Sequence, residues 1–169
     1  MITILHLGLG SFHRAHQALY IHQLRRAGDT SWSITGGNLR PDMLDTMAAL
    51  QAQGGAYTLE TVTPQGARSY TRIESIQKVI PYQHDLAPLI EVGADPATRI
   101  ISFTVTEAGY YLDAKNVLDW AAFADLRADL DAVKKGLAGH TIYGGLVSIL
   151  RARMQANSGP VTLMNCDNL

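Results

Sequence analysis

Two glycines, Gly8 and Gly10, stand between a short apolar run and a stretch of helical character, and this arrangement limits what the chain can fold into more than any other feature. Ile2-Thr3-Ile4-Leu5-His6-Leu7 is brief, apolar and bounded by glycine, as a buried strand is. Gly8-Leu9-Gly10-Ser11 follows as a tight turn. A helix is then expected from Phe12 or His13 to Arg26 or Ala27, closed by Gly28, with Arg25 and Arg26 in the last turn where cations suit the helix dipole. In a strand–turn–helix unit of this kind the first glycine permits the bend. The second lets the backbone approach a diphosphate, which then faces unpaired helix amides. The third glycine of G-x-G-x-x-G is absent, because position 13 is histidine, and this loosens the expected packing of helix on strand. A motif this short also occurs as a plain βα turn without a ligand.

The rest of the chain continues the alternation. A second strand is predicted at Trp32 to Gly36, a loop at Gly37-Asn38-Leu39-Arg40, and a helix opened by Pro41-Asp42 and running to about Gln53. Ala56 to Thr63 and Ala67 to Ile73 alternate β-favouring residues around Pro64-Gln65-Gly66, which reads as an antiparallel hairpin. A strand at Ile76 to Ile80, a short helix near Asp85 to Val92 and a clear strand at Arg99 to Val105 come next. Helices within Trp120 to Leu137 and from Thr141 to about Ala156 lead to a last strand, Val161 to Asn165. This order predicts an α/β fold: a Rossmann-type, mainly parallel sheet flanked by helices, with an inserted antiparallel hairpin. The 169 residues suffice for one substantial core, so residues 1–169 are expected to form a single dinucleotide-binding domain. At the end of the second strand a carboxylate can pair with the adenosine ribose hydroxyls. Asp42 is the nearest candidate, although a first-turn helix position would explain it equally well, and Arg40 leaves room for a 2′-phosphate.

Composition removes several classes of function. Fourteen basic and fifteen acidic residues give a formal net charge of -1, no footprint for nucleic acid or an anionic membrane. Cys166 is the single cysteine, so no intrachain disulfide forms, and a buried apolar role is expected of it. No CxxC pair suggests zinc. His13 and His16 share a helix face, but no third ligand follows by spacing, so no metal is expected. The N-terminus has no basic n-region, and no apolar stretch nears the roughly 20 residues of a membrane span, so a soluble, cytoplasmic protein is expected.

The run Gly8-Leu9-Gly10-Ser11-Phe12-His13-Arg14-Ala15-His16-Gln17 extends well beyond a glycine turn and resembles the opening of the mannitol dehydrogenase family, the long-chain polyol-specific dehydrogenases. Thr104-Val105-Thr106-Glu107-Ala108-Gly109-Tyr110-Tyr111 and Asn165-Cys166-Asp167-Asn168-Leu169 match the same family. Gly54 to Val62 and Ser75 to Pro81 narrow the likeness to its pentitol-oxidising members. The resemblance implies NAD as cofactor and a small polyol as substrate, D-arabinitol being oxidised to D-xylulose by hydride transfer. It also implies that Gly8, Gly10, Ser11 and Phe12 line the pyrophosphate and the adjoining cofactor surface. Thr106 and Glu107 would lie just past the carboxyl end of a central strand, where open α/β sheets hold ligands. Asn168 would be the catalytic residue of this segment, its amide donating to the alcohol oxygen as negative charge develops. Mannitol-directed oxidation, hexuronate (fructuronate or tagaturonate) reduction and a non-catalytic nucleotide-binding module remain alternatives, as does an S-adenosylmethionine-binding domain.

The family's proton acceptor is a lysine in a K-x-x-x-x-N-x-x-H element of a C-terminal helical domain. Lys78, Lys115, Lys134 and Lys135 do not match that element. The chain therefore reads as the N-terminal domain alone, with the C-terminal catalytic domain absent and activity not expected of it by itself. A surface meant for that domain should be exposed around Tyr110, Tyr111 and the Thr141 to Met154 helix, where a homotypic contact could cover it.

Overall fold

The computed structural model describes residues 1–167. Its elements, in chain order, are β1 (Ile2–Leu7), α1 (Ser11–Ala15), α2 (Gln17–Arg26), β2 (Trp32–Gly37), α3 (Leu44–Ala52), β3 (Tyr57–Val62), β4 (Arg68–Ile73), β5 (Ile76–Ile80), α4 (Ala87–Ala94), β6 (Thr98–Phe103), α5 (Ala124–Lys134), α6 (Ile142–Gln155) and β7 (Thr162–Asn165). Five strands form one parallel sheet in the order β5-β2-β1-β6-β7. The chain winds from β1 first to one side and then to the other, so the connections diverge between β1 and β6 and leave a crevice above their carboxyl ends. The expected hairpin is present as β3 and β4, paired antiparallel from Tyr57↔Ile73 to Val62↔Arg68.

Alternation along the strands supplies a core on each face. On one face Ile4, Ile34 and Ile76 meet Ala18 of α2, Met47 and Leu50 of α3, and Ile73 from the hairpin. On the other, Leu5, Leu7, Ile80, Ile101 and Phe103 meet Leu89 of α4 and Ile149 of α6. Each such side chain contributes about 1.5–3 kcal/mol when fully buried. Polar residues are also built into this packing, Arg153 among them. Arg153 of α6 is 3% exposed. Its Nε donates to the Gly159 carbonyl at 2.8 Å, Nη1 to those of Gly93 and Asp95 at 2.9 Å, and Nη2 to those of Ser158 and Pro160 at 3.1 and 3.2 Å. The five donors of the guanidinium thereby fasten the end of α4, the end of α6 and the entry to β7.

The structure departs from the sequence reading at four places. The helix expected from Phe12 to Ala27 is two helices, broken at His16 (φ -119°, ψ -86°). His13 sits where a third glycine would admit the strand, and its ring fills that space by stacking on His6 at 3.6 Å between centroids. The helix expected to open at Pro41 starts at Leu44, after Met43 in a left-handed conformation. The Asn38 side chain bonds to Asp42 and holds residues 38–42 as a loop, the usual competition of a short amide with helix. Tyr111, expected on an exposed face, is only 5% exposed, packed edge-on against Phe123 with its hydroxyl donated to Asp125 at 2.8 Å. Cys166, expected to be buried, is only half-buried beside Met164.

Arg153→Lys should lower unfolding stability by about 3 kcal/mol, since an ammonium has three donors for five carbonyls and bonds to charged groups are strong. Urea denaturation measures this, and a loss under about 0.5 kcal/mol would show that water satisfies these carbonyls equally well.

Candidate functional site

The crevice is a cleft of about 370 Å³ whose walls include Gly8, Gly10, Asn38, Asp42, Thr106 and His140. Gly8 adopts φ +103°, a left-handed conformation that a side chain would strain, and a Cβ at Gly8 or Gly10 would meet no atom within 4 Å. The backbone above the turn is thus open on the cleft side. Beneath, the turn is fixed to the end of β2. The Gly8 amide donates to the Gly37 carbonyl at 2.9 Å, and the Leu9 amide to Asn38 Oδ1 at 3.2 Å. Leu9 lies so close over Gly36 that a Cβ there would stand 2.4 Å from its Cδ2. The Gly10 amide closes the turn onto the Gly8 carbonyl at 2.8 Å. Gly10 then caps α1 without a side-chain bond, so the amides of Ser11, Phe12 and His13 receive no cap and point out of the helix start.

Asp42, at the end of the β2 loop, is exposed on the cleft rim, and its Oδ1 and carbonyl accept from Asn38 Nδ2 at 3.1 and 3.0 Å. Opposite, Thr106 lies beyond β6 and leads into a 3₁₀ turn, Glu107–Tyr110. The structure therefore brings Gly8, Gly10, Asp42 and Thr106 to one cleft. Ser11 is exposed at the first turn of α1, and Glu107 is exposed outside the lining. Phe12 stacks on His16 at 4.2 Å and faces a neighbouring apolar cavity of about 310 Å³ shared with His6, His13, Met164 and Cys166. Asn168 lies outside the described residues. Among the described residues no group of three or more metal-ligating side chains occurs.

Three site residues carried no clear sequence signal. Asn38 is 4% exposed and joins the glycine turn to Asp42; the hint was an amide residue in a loop right after paired glycines, where such side chains bond to backbone. His140 on the far wall gives its ring Nδ1 to a 2.9 Å bond with the Leu39 carbonyl. Asp129 of α5, buried, fixes that wall by accepting the His140 and Thr141 amides at 2.7 Å each and the Thr141 hydroxyl at 2.6 Å. Asp167 plays a similar part at the end of β7, accepting the Val105 amide at 2.6 Å and the Tyr110 hydroxyl. That bond to a carboxylate holds the Tyr110 phenol above its usual range.

Under α1 lies a buried pair of imidazoles. Ser102 donates its hydroxyl to Gln17 Oε1 at 3.0 Å, so it must accept from His6, whose proton is therefore on Nδ1, 2.8 Å away. Among the described residues His6 Nε2 and both ring nitrogens of His13 have no hydrogen-bond partner. Burial pushes His6 down to about 4; burial and the neighbouring His6 push His13 down to about 2. Both rings are neutral at ordinary pH.

Residues 2–169 match the family model described as the mannitol dehydrogenase Rossmann domain. The chain belongs to the mannitol dehydrogenase family. It is 54% identical over 167 residues to a D-arabinitol 4-dehydrogenase of Klebsiella pneumoniae, an alignment covering 99% of this chain and 35% of that protein. A mannitol 2-dehydrogenase of Cereibacter sphaeroides is 39% identical, across 98% of this chain and 34% of that one. The solved ternary complex of Pseudomonas fluorescens mannitol 2-dehydrogenase with NAD and D-mannitol superposes with a TM-score of 0.87 at 32% identity, covering 99% of this chain and 34% of that chain. The chain thus spans about a third of the length of these family members.

The neutral imidazoles make stability depend on pH. Above pH 6.5 neither state holds their protons and no cost arises. As the pH falls from 6.5 toward about 4 for His6, and toward about 2 for His13, the unfolded chain binds protons that the folded one refuses. Each unit within that window removes about 1.4 kcal/mol per ring, so His6 alone costs about 3 kcal/mol by pH 4. Urea unfolding from pH 7.5 to 4 measures the slope, and His13→Phe, which keeps a stacked ring but cannot titrate, should flatten it. An unchanged slope would remove His13 from the titration.

Proposed function

We propose that the cleft binds NAD and that the chain is the cofactor domain of an enzyme that oxidises a polyol, D-arabinitol to D-xylulose, in a cytoplasmic setting. The observation that carries this is the open turn at Gly8 and Gly10, set before uncapped helix amides and sharing one cleft with the Asp42 carboxylate. The 54% identity to a D-arabinitol 4-dehydrogenase, against 39% to a mannitol 2-dehydrogenase, favours the pentitol. Among the described residues no helix is long and apolar enough to cross a membrane.

The roles follow from charge and position. Gly8 and Gly10 admit the diphosphate, and the amides of Ser11, Phe12 and His13 offer it donors at the positive end of a helix. Asp42 takes the hydroxyls of the adenosine ribose, and its charge opposes a 2′-phosphate, which favours NAD over NADP. Thr106 and Glu107 border the nicotinamide side. When bound, NAD supplies the hydride acceptor. Asn168 donates its amide to the substrate oxygen as the C–H bond yields its hydride and the O–H bond its proton. That proton needs a base, and none of the four lysines, Lys78, Lys115, Lys134 and Lys135, lines the cleft. A further lysine-bearing domain is the proposed partner that completes the site.

The 169-residue chain should quench in tryptophan emission or enhance NADH fluorescence on titration, yet turn over no D-arabinitol with NAD. Gly8→Val, which strains the turn and fills the cradle, should weaken NADH at least about tenfold, equal to about 1.4 kcal/mol. Steady turnover by this chain alone would show that the base is wrongly assigned; undiminished NADH affinity in Gly8→Val would place the diphosphate elsewhere.

A further inference from the structure

Resting on the cofactor reading above, we infer that Asn38 is a positioning residue that presets the Asp42 carboxylate for the ribose diol, and so sets the preference between NAD and NADP. Asn38 is 4% exposed and spends both ends of its side-chain amide. Its oxygen accepts the Leu9 amide in the glycine turn at 3.2 Å, and its nitrogen donates to Asp42 at two points, the carbonyl at 3.0 Å and Oδ1 at 3.1 Å. One planar group thereby joins the diphosphate turn to the carboxylate on the rim of the same cleft. Asp42 itself sits on exposed loop without helical support, since α3 begins only at Leu44. Without the amide of Asn38 the carboxylate loses the partners that define its direction, and a ligand that needs it must order it at its own expense.

The polarity of the amide makes this separable from a general structural role. Aspartate at position 38 has the same shape and still accepts the Leu9 amide. It cannot donate to Asp42, and it sets a like charge against that carboxylate. Asn38→Asp should therefore keep the turn and release Asp42. NADH loses its preset partner, whereas NADPH, whose 2′-phosphate the carboxylate opposes, has no such partner to lose and weakens less.

The test is fluorescence titration of the purified chain with NADH and with NADPH. In Asn38→Asp the ratio of NADPH to NADH dissociation constants should fall about tenfold. In an Asp42→Asn background the same substitution at 38 should leave that ratio unchanged, because the residue through which Asn38 acts has already lost its charge. Should Asn38→Asp not fold, Asn38→Ser, shorter and neutral, should lower the ratio in the same direction. Equal weakening of both dinucleotides, or an effect undiminished in the Asp42→Asn background, would overturn the role given to Asn38. Wild-type chain that binds neither dinucleotide would overturn the cofactor reading beneath it.

Discussion

The attachment of Leu9 to the end of β2 is the contact on which the cleft depends. A glycine turn has no stiffness of its own, because the freedom that lets Gly8 take φ +103° also lets it take many other values in isolation. Here its amide is bonded to the Gly37 carbonyl, the next amide is bonded to Asn38, and the Leu9 side chain is pressed onto Gly36, where no Cβ could fit. Three successive residues of β2 and its loop thus receive three groups of the turn. The parallel pairing of β1 with β2, in register from Ile2↔Trp32 to Leu7↔Gly37, brings those groups together. Sheet register and turn geometry are one constraint, and a slip of a single residue would undo both.

Buried polar groups define the rest of the frame, in two contrasting ways. Arg153 and Asp129 are satisfied, the first by five carbonyls and the second by two amides and a hydroxyl; Arg153 joins segments far apart in sequence, and Asp129 joins α5 to the start of α6. Such groups stabilise one arrangement because any other leaves a charge without partners. The imidazoles of His6 and His13 are the opposite case: closely stacked, neutral, and with three ring nitrogens unpaired among the described residues. Their packing keeps α1 against β1 where the usual small residue is missing, and it does so at the cost of unmet hydrogen bonds.

The succession of elements and the mainly parallel sheet were legible because most strands are short and bounded by turn residues, and because the crossovers are long enough for parallel pairing. Every expected strand and the hairpin occur within two or three residues of their places. The glycine turn and Asp42 were legible as residue types in a βα context, and they do meet in one cleft. The break at His16 was not, since nothing in local propensity announces that the ring three residues earlier will stack on a strand histidine. Nor was the late start of α3, where a side-chain bond from Asn38 outweighed proline's fitness for a first helical turn. Asn38, Asp129 and His140 entered the site through contacts spanning loops that periodicity does not describe.

The β3–β4 ribbon has a separate consequence. It forms no part of the five-stranded sheet, its residues are largely exposed, and its chief anchors are Ile73 in the core and the Tyr57 hydroxyl on the Arg14 carbonyl. Two strands without a third have little cooperative protection of their own, so this ribbon depends on those anchors for its place on the domain. Its tip at residues 64–66 lies away from the cleft lining, which makes it a place where inserted sequence can be accommodated without disturbing the cleft.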